Sequence, residues 1–181
     1  MMGFHNRWGQ PRKGDTRMNK KVWMLVTVFM VVLALSVSVQ AGPPTIAGGD
    51  WLYMPSVESV RIAGGNTFIE LAEIGEWSGT FEGDSTEAGT VVQHSSGYVF
   101  FRGVVSFVGM VNGQSGTMEM SVVGSKADPT ADWEGKWVIL GGTEGLATLQ
   151  GQGTWWGPGW SPMTPTEWGV IHYAGNVHFE P

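Results

Sequence analysis

No cysteine occurs anywhere in the chain. That absence excludes disulfides, thiolate metal sites, a cysteine nucleophile and a lipidated N-terminal cysteine, so any fold here is held by its core alone. Basic residues are almost as scarce beyond residue 41. From Gly42 to Pro181 there are four (Arg61, Arg102, Lys126, Lys136) against fifteen acidic residues, a net charge of −11, whereas the whole chain stands at −6 because six basic residues precede Gly42. A region this acidic is repelled by phosphate backbones and by anionic lipid, which excludes nucleic acid as a partner. Helical periodicity is also nearly missing beyond residue 41, and no nucleophile constellation or metal-ligand spacing stands out, so neither a metal nor another cofactor is expected.

Long apolar runs are confined to one place. Asn19, Lys20 and Lys21 lead into residues 22–39, which carry no charge, and Val39-Gln40-Ala41 ends the run in small residues. This is the three-part pattern of a secretory signal peptide cleaved after Ala41. The run is also long enough for an uncleaved membrane anchor. Residues 1–17, ahead of Met18, are then an over-extended start or an unusual leader segment. Cleavage places the product in the periplasm or outside the cell, free of the membrane; without it the domain is membrane-anchored.

Glycine (28) and tryptophan (10) are what the chain has in quantity. In residues 133–157 they alternate: Trp133, Gly135, Trp137, Ile139 and Gly141 share one face of a strand, and Leu149, Gly151, Gly153, Trp155 and Gly157 share one face of the next. Glycine inside a strand weakens it, so repeated use implies a strongly coiled sheet or the close approach of a neighbouring ring. Trp77, Gly79, Phe81 and Gly83 repeat the pattern. Strands are expected at 67–72, 75–84, 88–95, 97–110, 115–124, 133–141, 149–157 and 168–179. Asn112-Gly113 is the clearest two-residue hairpin turn, and it sets Arg102 against Val123 and Phe107 against Met118. Pro43, Pro44 and Pro55 make residues 42–65 an irregular N-terminal arm. The expected organisation is an N-terminal extension and signal peptide (1–41), that arm, and a domain over 66–181. Its class is all-β, and the alternation of large and small residues favours a small antiparallel eight-stranded barrel over a sandwich.

Three segments carry a resemblance: E-W-S-G-T-F-E-G from Glu76, the central hairpin ending in V-N-G-Q-S-G-T-M-E-M, and G-K-W-V-I-L-G-G-T-E-G-L-A-T-L-Q-G-Q-G-T-W from Gly135. Over roughly 75–179 the chain resembles an uncharacterised bacterial domain-of-unknown-function family with an allene oxide cyclase-like β-barrel. The resemblance implies an eight-stranded antiparallel barrel, often a homo-oligomer, with no agreed activity; it carries over no catalytic residue.

Candidate binding residues are Arg102, Glu119, His94, His172, Trp156 and Trp160. Arg102 stands alone in an apolar strand, so it either pairs with Glu119 across the hairpin or marks the polar end of a pocket. His172 and His178 share a face six residues apart, too far to hold one metal, while His94 could join either from a neighbouring strand. Glu70, Glu76, Glu82, Asp84 and Glu119 either cover a solvent face or supply a carboxylate pair inside the barrel. Trp155 and Trp156 point to opposite faces, so Trp156, with Trp160, is an interface residue, core, or a platform for a flat ligand.

Three functions follow from these residues. One is an exported barrel that binds a small apolar or aromatic ligand or serves as an oligomeric structural module. Another is a hydrolase or isomerase, which requires two ionisable groups within hydrogen-bond reach inside a cavity. The third is carbohydrate binding through exposed tryptophans.

Overall fold

The computed structural model describes residues 43–158 and 168–181, all within the compact unit Gln40–Pro181. Eight antiparallel strands run in chain order: β1 (Thr45–Ala63), β2 (Asn66–Gly79), β3 (Phe81–Gln93), β4 (Val99–Val111), β5 (Gln114–Lys126), β6 (Trp133–Gly142), β7 (Leu149–Gly157) and β8 (Gly169–Phe179). Each pairs with its sequence neighbour, and β8 pairs back onto β1 from Thr45↔Val177 to Tyr53↔Gly169, closing the barrel. Closure leaves no free edge along that span.

The alternation of ring and glycine is how this barrel is packed. The Trp155 ring lies over Gly124 and Gly135, and the Trp137 ring over Gly153 and Gly175; a Cβ at any of these glycines would strike the indole. Phe101 covers Gly89 in the same way, and Trp51 covers Gly75. Each indole therefore lies against the backbone of an adjoining strand, and a ring that buries ~150–250 Å² contributes on the order of 4–6 kcal/mol before its ordering entropy is subtracted. One end of the barrel is closed by Phe81, Val111 and Leu149, with Leu146 of the 3-10 turn (Glu144–Leu146) seated over Gly116; all four are fully buried.

The expected arm over 42–65 is instead β1. Pro55 belongs to that strand because β8 ends its pairing at Tyr53, so from Met54 onward β1 has a single neighbour and the proline's missing N–H falls where one side is open. Gly64 (φ 59°) and Gly65 (φ 79°) form the two-residue turn into β2. The expected strands 67–72, 75–84 and 88–95 are two strands rather than three. β2 continues through Glu73 and Ile74, and the reversal comes at Gly79-Thr80, where Thr80 N–H donates to the Gly48 carbonyl (3.0 Å) and Gly48 N–H to Thr80 Oγ1 (3.0 Å). Eight strands result because one gained at the N-terminus replaces one lost by merging.

The central hairpin follows the expected register. Asn112 (φ 51°) and Gly113 (φ 80°) make the turn, and Arg102 faces Val123 while Phe107 faces Met118.

Candidate functional site

Two glutamates lie inside the barrel. β2 directs Leu71, Glu73, Gly75 and Trp77 inward in turn, and β3 does the same with Ser85, Glu87, Gly89 and Val91, because alternate residues of a strand share a face. The β2–β3 register sets Glu73 directly opposite Glu87, and the two are 6% and 3% exposed. They border a cavity of about 50 Å³ whose other walls are largely aromatic, including Trp51, Tyr53, Phe101, Trp133, Trp137 and Trp155. At ~10–15 Å³ of such volume per water, it has room for about four waters or one small molecule.

Most polar groups of this wall are satisfied by the barrel itself. The Trp77 indole donates to Ser85 Oγ (2.8 Å), Trp137 to the Thr154 carbonyl (3.2 Å) and Trp155 to the Lys136 carbonyl (3.2 Å). Tyr173 donates to the Ser78 carbonyl and accepts from Phe81 N–H, both at 3.0 Å. Trp51 Nε1 and both carboxyl oxygens of Glu87 have no such partner among the described residues. Ionised carboxylates are acceptors only, so Glu73 cannot donate to Glu87 until one of the two is protonated.

Burial pushes both carboxyls upward. Removal from water raises Glu73 to about 7, and removal from water followed by the charge of Glu73 raises Glu87 further above the usual carboxylate range. A proton shared between the two, as in other coupled carboxyl pairs, joins one oxygen of each and leaves the second Glu87 oxygen without a donor among the described residues. Tyr53 and Tyr173 are likewise raised by burial, Tyr173 to about 12, so both phenols are neutral at ordinary pH. Room for the Glu87 carboxyl comes from Gly103 of β4, where a Cβ would collide with Oε1.

The residues singled out from the sequence lie elsewhere. Arg102 is exposed on the outer face of β4, and Glu119 on that of β5, opposite Ser106; no ion pair joins them. Arg102 looked enclosed because its strand is apolar, but Val104 and Val108 on its own face are exposed as well. His94 sits in the turn after β3, with its ring 5.7 Å from that of Tyr98. Glu70, Glu76, Glu82 and Asp84 are all exposed. His172 and Trp156 do come together, outside the barrel: their rings are 5.8 Å apart, and His172 Nδ1 lies 2.7 Å from Asp50 Oδ1. Trp156 faces outward at 44% exposure, opposite in direction to Trp155. Trp160 falls outside the described residues.

Glu73 and Glu87 were not among the candidates, although a signal for them exists. Once β2 and β3 are each taken as continuous, the inward parity of Trp77 runs back through Gly75 to Glu73, and that of Phe81 runs forward through Gly83 and Ser85 to Glu87. Splitting β2 near Glu73 concealed this.

The fold and site together define an all-β closed barrel enclosing an aromatic cavity with a buried carboxyl pair. No known protein family matches the chain, and no curated protein does. Among solved structures it is similar to a protein of unknown function from the DUF3224 family of Shewanella oneidensis MR-1, with TM-score 0.61 and 18% identity over 77% of this chain and 99% of that one. Likeness at that identity is a likeness of fold, and it agrees with the expected kind of relative, an uncharacterised domain.

Proposed function

We propose that this is an exported binding protein whose barrel cavity takes one small, largely apolar ligand bearing a polar group. The observation that carries the reading is the unmatched polarity inside an otherwise satisfied aromatic wall: Trp51 Nε1 and the Glu87 oxygen turned away from the shared proton are buried without a protein partner among the described residues. Leaving such groups unmatched costs ~1–3 kcal/mol each, a cost that a bound ligand can offset. Export is supported by the signal-peptide pattern that ends at Ala41.

Small ring and alkyl compounds should raise the melting temperature and alter the tryptophan fluorescence of the purified protein. Val105→Phe, which fills the cavity from a fully buried position, should remove the response. Silence of the parent protein across a broad panel counts against the reading. For export, the mass of protein recovered from the periplasm or medium should correspond to a chain starting at Gly42; an uncleaved membrane-bound chain overturns it.

A second reading, a hydrolase or isomerase, is favoured by the carboxyl pair itself. Two carboxyls that share a proton near neutrality can take a proton at one position of a substrate and return it at another. Any turnover found should then fall ~100-fold or more in Glu73→Gln and in Glu87→Gln. Turnover untouched by both substitutions removes the pair from the chemistry.

A further inference from the structure

Resting on the reading of the cavity as a ligand site, we infer that the ligand is a small organic monocation, a protonated amine or quaternary ammonium with a short apolar body, held between the Glu73–Glu87 pair and the aromatic wall. Among the described residues, no Arg or Lys side chain is directed at this pair. Arg61, Arg102 and Lys136 are exposed, and Lys126 directs its ammonium to the Pro129 carbonyl (2.7 Å) while lying 5.0 Å from the Trp133 ring. The largest influences on each carboxyl are burial and the other carboxyl.

Aromatic faces complete a cation site. Tyr53 is close enough to both glutamates for their charges to raise its phenol, and Trp51 is stacked on Tyr53 at 4.9 Å between ring centres. Phe101 reaches across Gly103 beside Glu87, with Trp133 and Trp155 edge-on to it at 6.1 and 6.4 Å. Ring faces attract an organic cation through their quadrupole, and the attraction is strongest where water is excluded.

Charge balance selects a monocation. A pair that keeps one proton carries a single negative charge, so one bound cation leaves the cavity neutral, whereas an anion is repelled and a neutral ligand leaves that charge uncompensated. Among the described residues, the other titratable groups turned inward are Tyr53 on β1, Tyr173 on β8 and Lys126 at the end of β5; the inward residues of β4, β6 and β7 are apolar, indole or glycine. Both phenols stay neutral, so the carboxyl pair sets the pH dependence. Affinity for a cation rises with pH as the doubly protonated pair loses its first proton.

The test uses butylammonium, 1-butanol and butyrate, which are matched in size, read by tryptophan fluorescence on the purified protein at pH 8 and pH 5. Butylammonium should bind at least tenfold tighter than 1-butanol at pH 8 and should lose that advantage at pH 5, while butyrate should not bind. Glu73→Gln combined with Glu87→Gln, which removes both carboxylates, should erase the preference for butylammonium over 1-butanol. If 1-butanol binds as tightly as butylammonium at pH 8, the cation inference is overturned and the cavity remains a ligand site. If neither these probes nor the broader panel bind, both readings fall together.

Discussion

Glu87 sits at 3% exposure with no hydrogen-bond donor among the described residues, so its ionisation is opposed by the fold itself. Glu73 shares that opposition, and the sign of its effect on stability follows. Its folded pKa, about 7, lies above the 4.5 of an unperturbed glutamate, so the folded state keeps a proton that the unfolded chain releases. The resulting stability is complete below about pH 4.5 and is lost as pH rises through about 7, on the order of 3 kcal/mol for Glu73 alone. A melting-temperature series from pH 5 to pH 8 should therefore fall by several degrees, and Glu73→Gln should make it shallower, with buried Glu87 supplying the slope that remains; an equally steep series in that variant would falsify the assignment. The glycines under the rings give an independent residue-scale expectation. Gly135→Ala sets a Cβ against both the Trp155 indole and the Val123 carbonyl. Overpacking of this kind costs ~1–3 kcal/mol, measurable by urea denaturation.

Among the elements, the hairpins divide by how plainly their turns were written. Asn112-Gly113 uses the residue pair that positive φ demands, and its register was readable to the residue. At Gly113 a Cβ would meet nothing within 4 Å, so Gly113→Ala isolates the backbone cost of φ 80°. That cost should be ~1–2 kcal/mol, with the barrel otherwise intact by circular dichroism. Gly64-Gly65 is a turn signal of the same kind, but Pro43, Pro44 and Pro55 argue locally against a strand, and only the pairing with β8 up to Tyr53 shows why Pro55 is tolerated in β1. The β2–β3 reversal at Gly79-Thr80 was unreadable for a different reason. Its turn is fixed by contacts to Gly48, more than thirty residues away, which no local pattern contains.

At the scale of the whole molecule, charge and outer surface govern behaviour. With −11 over Gly42 to Pro181 and most carboxylates facing out, the barrel repels itself, and screening should relieve this. Raising salt from ~0.02 M to ~0.5 M should lift the melting temperature; a fall would mean that attractive pairs dominate. The outer faces of β4 to β6 also leave Val104, Val108, Val138 and Leu140 exposed. An apolar surface of this kind suits a homo-oligomer contact. Light scattering should give a mass above that of one chain, and Val138→Glu, which places a charge between them, should lower it; a monomer in both cases removes the expectation.

Alternation along the chain was sufficient to determine the all-β class and the ring-over-glycine packing, because both are local consequences of a two-residue repeat, and the Asn112-Gly113 turn determined the central register; the count of eight agreed only because a missed first strand and a split second one offset each other. Composition alone fixed the acidity over Gly42 to Pro181 and the lack of thiol chemistry. Only the tertiary structure decided that β1 closes on β8, that Arg102 and Glu119 stand apart on the outer surface, and that Glu73 and Glu87 meet inside. The physical reason is the same in each case. Ring closure and the β2–β3 reversal depend on hydrogen bonds between residues far apart in the chain, and which carboxylates leave water depends on which strands those bonds join.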